Sequence, residues 1–153
     1  DKFTPVVERK LAEFGVPLTQ RRVSDDNIEH IVAAIREVRA CGVDIVLCTG
    51  GMSVDPDDRT PAAIRDSGAN IITYGAPVLP GAMFLLGYYE EGVPVMGLPG
   101  CVMYSRASIF DIVLPRVVAG IRLERRDLTR LGNGGLCLQC EVCTYPNCGF
   151  GKE

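Results

Sequence analysis

Apolar positions along the chain predict several helices separated by short strands. Where they recur every three or four residues, they predict helices over 3–14, 28–38, 62–67, 82–89 and 105–119. Gly15 and Gly42 follow the first two helices, as expected of residues that end a helix. Asp26 and Glu29 have the spacing of a capping box before the second helix. Thr60 is the expected N-cap of the third.

Shorter apolar runs predict strands over 17–23, 43–48, 70–74 and 93–98. The run 43–48 is almost continuously apolar and is bounded by glycines, which is typical of a strand buried on both faces of a parallel sheet. Alternation of helices and strands predicts an α/β fold. We therefore expect three layers, with a mostly parallel sheet covered by helices on both faces.

Two glycine-containing loops follow predicted strands and are the first candidates for a functional site. Residues 49–51 (Thr-Gly-Gly) follow one strand, and residues 99–100 (Pro-Gly) follow another. Ligands of open parallel sheets bind beyond the carboxyl ends of the strands. Backbone N–H groups of a glycine turn, together with the Ser53 hydroxyl, predict a binding site for phosphate or carboxylate. A tight turn without a ligand would use the same glycines.

Three acidic residues, Asp55, Asp57 and Asp58, come directly after the first of these loops. Their negative charges would repel a bare phosphate. A bridging Mg²⁺ would remove the conflict, because carboxylate and phosphate oxygens are ligands that Mg²⁺ prefers. The alternative interpretation is that some of the three only cap the following helix or lie in solvent.

Length, composition and net charge exclude some classes of protein. A chain of 153 residues, 47% hydrophobic and 23% charged, is long enough for one domain with a core. Sixteen Lys and Arg against nineteen Asp and Glu give a net charge of -3, which argues against a dedicated nucleic-acid-binding protein. We find no apolar run of the roughly 20 residues that span a bilayer, and no signal peptide. We therefore expect a soluble, cytoplasmic chain without membrane or nucleic-acid partners, and the start at Asp1 predicts a processed or excised chain.

Four of the seven cysteines are crowded near the end of the chain. They are Cys137, Cys140, Cys143 and Cys148. Four thiolates in so short a segment suit either a tetrahedral Zn²⁺ or a [4Fe–4S] cluster, and a tail without metal is the third alternative. We divide the chain into an α/β domain over 1–120, a linker over 121–135 in which the glycine-rich residues 132–135 form a flexible hinge, and a Cys-rich metal-binding tail over 136–153.

The loop after the strand 43–48 carries a specific resemblance. Residues 49–61, Thr-Gly-Gly-Met-Ser-Val-Asp-Pro-Asp-Asp-Arg-Thr-Pro, resemble the signature of the molybdopterin-binding domain family. Gephyrin, molybdopterin adenylyltransferases, molybdenumtransferases and competence-damage proteins are members. Residues 23–26, 77–81 and 97–100 also match the family's motifs in order and spacing. The resemblance covers about residues 3 to 120.

The resemblance implies an α/β domain that binds the phosphorylated pterin of the molybdenum cofactor. It implies roles for specific residues: Thr49, Gly50, Gly51 and Ser53 for the terminal phosphate, Asp58 for catalysis or cation binding, Asp25 or Asp26 as a second acidic position near the pterin, and Pro99 with Gly100 as the facing wall. In an enzyme, Asp58 and Asp26 would be the catalytic pair. A homo-oligomer, either dimer or trimer, is also implied.

Several activities are compatible with this resemblance. The leading hypothesis is a role in the synthesis, delivery or sensing of molybdenum cofactor. In its enzymatic version, Mg²⁺ would assist adenylyl transfer or molybdate insertion. A carrier or sensor without catalysis is the second hypothesis, with a molybdenum enzyme as a partner that the tail would contact. Nucleotide hydrolysis, as in the competence-damage branch, is the third.

The sequence departs from the family in two places. After residues 98–100 the family continues with Asn or Gln and then Pro, whereas this chain has Cys101 and continues to Ser105. We expect Cys101 to line the pocket or pack beside it. The family's first strand, which carries Thr-Gly and an acidic residue, is also absent before residue 1. We therefore expect the chain to be the carboxyl-terminal part of a longer protein.

Overall fold

A computed structural model describes residues 2–153, so the expectation based on Asp1 lies outside the described residues. The helices of this range are α1 (Phe3–Ala12), α2 (Ile28–Ala40), α3 (Thr60–Asp66), α4 (Ile109–Val118) and α5 (Arg125–Arg130). The strands are β1 (Val46–Thr49), β2 (Asn70–Tyr74), β3 (Leu85–Tyr88) and β4 (Pro94–Leu98). Two short 3₁₀ helices cover Gly100–Met103 and Leu131–Gly134.

Within residues 2–153 the four strands form one mixed sheet in the order β1-β4-β3-β2. β1 and β4 are parallel, whereas β3 is antiparallel to both of its neighbours. Only one of the three pairings is parallel, so the described sheet is mixed, whereas the sequence predicted a mostly parallel sheet. The reason is that no helix of the described chain crosses over between β2, β3 and β4, so these strands pair as antiparallel neighbours. β1 forms one edge of the described sheet, and the expectation of a further strand before it stays a prediction.

The prediction of a helix over 82–89 is wrong, because this segment contains β3. Leu85 and Leu86 are adjacent but belong to different hydrophobic clusters on opposite faces of the sheet. A central strand that is buried on both faces has apolar residues at every position, so its sequence lacks the alternation that identifies strands. Gly87 allows close strand pairing, since a Cβ there would lie 2.9 Å from the Asn70 carbonyl oxygen.

Two hydrophobic clusters cover the two faces and confirm the α/β architecture. Val95 and Met96 of β4 show the division, because the first belongs to one cluster and the second to the other. One cluster packs α1, α4 and α5 on the sheet. The second packs α2 and α3 on the opposite face and includes Met52 from the loop after β1. This arrangement gives the three expected layers.

The starts of two helices differ from their predictions. The N-cap of α2 is Asn27, whose side-chain oxygen accepts hydrogen bonds from the backbone N–H groups of Glu29 and His30. The predicted Asp26 capping box is therefore wrong by one residue, and Asn is an equally good cap. Thr60 is the first residue of α3 instead of its cap, and its hydroxyl donates to the Gly50 carbonyl at 2.8 Å.

The prediction of a strand over 17–23 is also wrong. Along the part of the chain that the structure describes, this segment forms no strand. Arg21 and Arg22 are exposed, and the Arg22 guanidinium contacts the Glu37 carboxylate at 3.0 Å. The segment has too few apolar residues to form a buried strand.

The segment 121–135, predicted as a linker, packs against the α/β body. It contains α5, and Leu123, Leu128 and Leu131 are buried in the same cluster as α4. Residues 132–134 of the predicted flexible hinge lie in a short 3₁₀ helix, and Gly135 lies so close to the Pro77 carbonyl that a Cβ would overlap it. In residues 2–153 no helix is both long and apolar enough to cross a bilayer.

Candidate functional site

The two glycine-containing loops leave the sheet side by side. Thr49 at the end of β1 is paired with Leu98 at the end of β4, and these strands are parallel. The loop that begins at Gly50 and the loop at Pro99 therefore start at the same edge of the sheet, as the sequence predicts. Thr49 and Gly50 are exposed, whereas Pro99 is buried.

Met52 fixes the first loop to the body. Its side chain is 3% exposed and belongs to the cluster under α2 and α3. It crosses β4 at Gly97, where an added Cβ would lie 2.5 Å from the Met52 methyl carbon. Position 97 therefore requires glycine, because Met52 of the neighbouring loop occupies the space that a side chain there would fill. Sequence reasoning missed this role, although Met52 is an apolar residue with polar and glycine neighbours.

Ser53 binds an anionic group of the protein itself. Its backbone N–H donates to Asp58 Oδ2 at 2.6 Å, and its hydroxyl donates to the same oxygen at 2.8 Å. Two donors converging on one carboxylate oxygen form an anion-binding corner. Asp58 and Ser53, predicted as functional residues, are therefore brought together.

The other two aspartates of the loop have turn-forming contacts. Asp55 Oδ1 accepts a hydrogen bond from the Asp57 N–H at 2.9 Å, and the Asp55 carbonyl accepts one from the Asp58 N–H at 3.0 Å. The Asp55 N–H donates in turn to the Ser53 hydroxyl oxygen at 3.2 Å. These are local side-chain-to-backbone bonds typical of Asx and related turns. They position Asp58 beside Ser53.

Two glycines of the site have different reasons to be glycine. Gly51 has φ +58°, and a Cβ there would lie 2.7 Å from the Thr60 hydroxyl, so conformation and packing both require glycine. Gly100 has no such requirement, since a Cβ would enter open space. The missing side chain at Gly100 leaves room beside the first loop.

Tyr74, at the end of β2, is a further residue of this region that sequence reasoning missed. Its hydroxyl lies 3.5 Å from the Ser53 carbonyl, to which it donates. Burial raises the pKa of the Tyr74 phenol, and the negative charge of Asp58 raises it further. Because β1 and β2 are the two edges of the described sheet, the loop extends across the sheet from one edge toward the other.

Asp25 and Asp26 precede α2 and are exposed. Because α2 leads into β1 through a connection of only five residues, its N-terminus points toward the carboxyl end of β1. The Asp25 carboxylate contacts Nδ1 of His30 at 2.9 Å and accepts from the Asn27 N–H at 3.1 Å. The His30 contact holds the pKa of Asp25 below its usual value, and the Asn27 bond adds to this. His30, which received no role from sequence reasoning, thus stabilises the charged form of Asp25.

A comparison with known protein families gives one match. The family described as "Probable molybdopterin binding domain" matches residues 1–119. The chain belongs to this family. The match includes β1, the loop with Ser53 and Asp58, and the residues around Pro99.

Two relatives of this molybdopterin-binding domain have informative names. A "CinA-like protein" of a Synechococcus species is 39% identical over 56 residues, which are 37% of this chain and 13% of that protein. A "Molybdenum cofactor biosynthesis bifunctional protein" of Synechococcus elongatus is 35% identical over 69 residues, which are 45% of this chain and 22% of that protein. The aligned regions thus cover less than a quarter of either relative.

Cys101 of the molybdopterin-binding domain is half-buried in the 3₁₀ helix that follows Pro99. Burial raises the pKa of its thiol, so the thiol is neutral at pH 7. Cys48 on β1 is a second neutral thiol, since burial raises its pKa to about 12. These thiols are therefore poor nucleophiles at neutral pH.

The four tail cysteines follow the molybdopterin-binding domain and line a single cavity of about 810 Å³. All are free thiols; Cys140 and Cys143 are exposed, and Cys137 and Cys148 are half-buried. Among residues 2–153, no three side chains of His, Cys, Asp or Glu converge on a point where one metal ion would be held.

Proposed function

We propose that the chain binds the phosphorylated pterin of the molybdenum cofactor between the loop at Gly50 and the loop at Pro99, in cofactor biosynthesis or delivery. The observation that carries the proposal is the anion-binding corner of Ser53, in which two donors hold one carboxylate oxygen. Membership of the molybdopterin-binding family and the relative named for molybdenum cofactor biosynthesis support the choice of ligand.

In this proposal, a phosphate oxygen of the ligand takes the place of Asp58 Oδ2. Phosphate and carboxylate oxygens accept the same kind of hydrogen bond, and Ser53 offers both an N–H and a hydroxyl. Thr49 and Gly50 are exposed beside Ser53, where their backbone contributes to the phosphate site. Open space at Gly100 leaves room for the pterin itself.

Asp58 has a second role in the proposal. Once a phosphate displaces it from Ser53, its carboxylate lies beside the negative ligand and needs a cation. Mg²⁺ fits this position, because it binds through one or two carboxylates together with phosphate oxygens. Asp55 is a further carboxylate of the same loop, and its Oδ1 accepts a hydrogen bond from the Asp57 N–H. Bound Mg²⁺ would neutralise phosphate charge, which is the chemistry that adenylyl transfer or molybdate insertion requires.

Substitution of Ser53 tests the proposal directly. Ser53→Ala removes a hydroxyl that donates to Asp58 in the free chain and to phosphate in the complex. Only the difference between these two bonds is lost, so affinity for molybdopterin is expected to fall about threefold, less than the roughly tenfold of a whole charged hydrogen bond. Titration calorimetry under anaerobic conditions measures this. Thr129→Ala is the matched control, since it removes an exposed hydroxyl of α5 that bonds only to its own helix.

Two further measurements make the test specific. Dephosphorylated molybdopterin is expected to bind Ser53→Ala and the unsubstituted chain equally, because the phosphate is missing in both complexes. Asp58→Asn is expected to abolish any gain in affinity from Mg²⁺, while binding without Mg²⁺ is retained. Equal affinity of Ser53→Ala and unsubstituted chain for molybdopterin would overturn the placement of phosphate at Ser53.

Nucleotide hydrolysis is the second candidate function, favoured by the 39% identity to the CinA-like relative over 56 residues. The same loop would then hold the phosphates of a nucleotide. Hydrolysis of nucleotides in the presence of Mg²⁺, in a chain that does not bind molybdopterin, would identify this second function. Turnover of ATP together with molybdopterin would identify an adenylyltransferase. Binding of molybdopterin without turnover would identify a carrier or sensor.

A further inference from the structure

We propose that Cys137, Cys140, Cys143 and Cys148 bind a [4Fe–4S] cluster in the cavity between the tail and the α/β body. The tail cavity is about 810 Å³ in volume and is lined by all four thiols. Residues of the body complete it, namely Pro80 and the segment from Tyr104 to Ala107. The site therefore consists of two parts of the chain that are distant in sequence.

The spacing of the cysteines along the chain favours a cluster over a single zinc ion. Zinc binds four sulfurs that each lie about 2.3 Å from one point. A [4Fe–4S] cluster has one iron for each of four cysteines, so the sulfurs surround a group of atoms. All four tail cysteines line one cavity, which has room for a group of this size. Two residues separate each of the first three cysteines, as in bacterial ferredoxin segments. The last gap is one residue longer than in those segments, and Gly149 stands where they have proline.

Contacts with the body hold both ends of the tail in place. At one end, the Cys137 N–H donates to the Leu79 carbonyl at 2.8 Å, next to a parallel bridge between Leu79 and Leu136. At the other, Phe150 is 4% exposed within the main hydrophobic cluster, and the Tyr145 hydroxyl donates to the Asp111 carbonyl at 3.0 Å. Two of the four ligands, Cys137 and Cys148, are thus positioned by the body.

The middle of the tail is exposed and lacks a core of its own. Leu138 is 79% exposed and Val142 is 73% exposed. Gln139, between the first two cysteines, has a left-handed backbone with φ 51°, a conformation that persists when neighbouring contacts impose it. Short segments that cannot form a hydrophobic core are those in which a bound metal group contributes to folding.

A hydrogen bond at the rim of the cavity joins the tail to the body. Arg106 lines the cavity, and its guanidinium donates to the Glu141 carbonyl at 3.3 Å, which connects the body to the tail.

Anaerobic reconstitution of the 153-residue chain with iron and sulfide tests the proposal. About four irons and four sulfides per chain are expected, with the broad visible absorption of a cluster and an electron paramagnetic resonance signal after reduction. Cys140→Ser and Cys143→Ser are expected to lose the cluster. Cys41→Ser is the control, because Cys41 is exposed at the end of α2 and should not affect iron content.

Circular dichroism separates loss of the cluster from loss of the fold, since the exposed cysteines at 140 and 143 contribute nothing to the hydrophobic clusters. Limited proteolysis gives an independent readout: the cluster should protect residues 138–144 in the unsubstituted chain and not in Cys140→Ser. Stoichiometric zinc without sulfide, or retention of iron and sulfide in both serine variants, would overturn the proposal. Absence of bound metal after reconstitution would overturn it as well.

Discussion

The loop after β1 and the cysteine tail are both short irregular segments, but different interactions hold them in place. The loop is shaped mainly by bonds between its own residues, such as those from Ser53 to Asp58 and from Thr60 to Gly50. The tail is shaped by contacts with Leu79 and Asp111, which are tens of residues away in the chain. Local bonds are visible as sequence motifs, whereas distant contacts are not. The comparison explains why the loop could be recognised in detail and the tail only by its cysteines.

The largest expected change in stability comes from a substitution that breaks the contact between the tail and the body. Gly135→Ala places a Cβ on the Pro77 carbonyl oxygen, a backbone atom that cannot move away, so the free energy of unfolding should fall by about 3 kcal/mol. Gly149→Ala is the matched control, because a Cβ there would enter open space, and its effect should stay within about 0.5 kcal/mol. Urea denaturation measures both. Equal stability of the two variants would mean that the tail does not depend on this close contact.

An intermediate effect is expected where the loop depends on the body. Met52→Ala removes a buried side chain and should lower the free energy of unfolding by about 2 kcal/mol. The cavity left behind should accept the Cβ of Gly97→Ala, so the double variant should be more stable than the sum of the single effects predicts. A double-mutant cycle by urea denaturation gives the coupling. Strict additivity would show that Met52 and Gly97 do not constrain each other.

The smallest effect concerns a local contact next to the candidate site. The pKa of Asp25 is held below its usual value of 3.8, first by the His30 ring and then by the Asn27 N–H. Since the folded-state pKa is lowered, any stabilisation from this contact is present above pH 3.8 and is lost as the pH falls through the lowered pKa.

In His30→Ala the pKa of Asp25 should rise toward 3.8 but remain below it, because the Asn27 bond is retained. Carboxyl carbon chemical shifts followed by NMR measure this. Glu29→Ala serves as the control, as its exposed side chain is not among the groups that shift Asp25. An unchanged pKa in His30→Ala would remove His30 from the environment of Asp25.

Parts of the fold were predictable because their signals are local. Strands β1, β2 and β4 follow from short apolar runs, and their ends place the loops at Gly50 and Pro99 together through the pairing of Thr49 with Leu98. β3 was not predictable in this way. Its residues are apolar at consecutive positions because each face of the strand meets a different cluster, and such a run fits a helix equally well.

Parts of the candidate site were predictable for the same reason. Ser53 and Asp58 are five residues apart, and the turn-forming aspartates between them bring the two side chains into contact. Met52 and Tyr74 were missed, because their roles depend on contacts with β4 and with the loop that the sequence order does not reveal. The family match over residues 1–119 includes this loop.

The amino-acid sequence by itself determined the family, the α/β class and the residues of the phosphate-binding candidate, since each depends on short-range spacing and on burial of apolar runs. Only the tertiary structure decided the direction of β3, the packing of residues 121–135 against the body and the common cavity of the tail cysteines. These features arise where segments far apart in the chain compete for the same core surface. The free energy that selects among such arrangements is a property of the packed molecule and is absent from any local pattern.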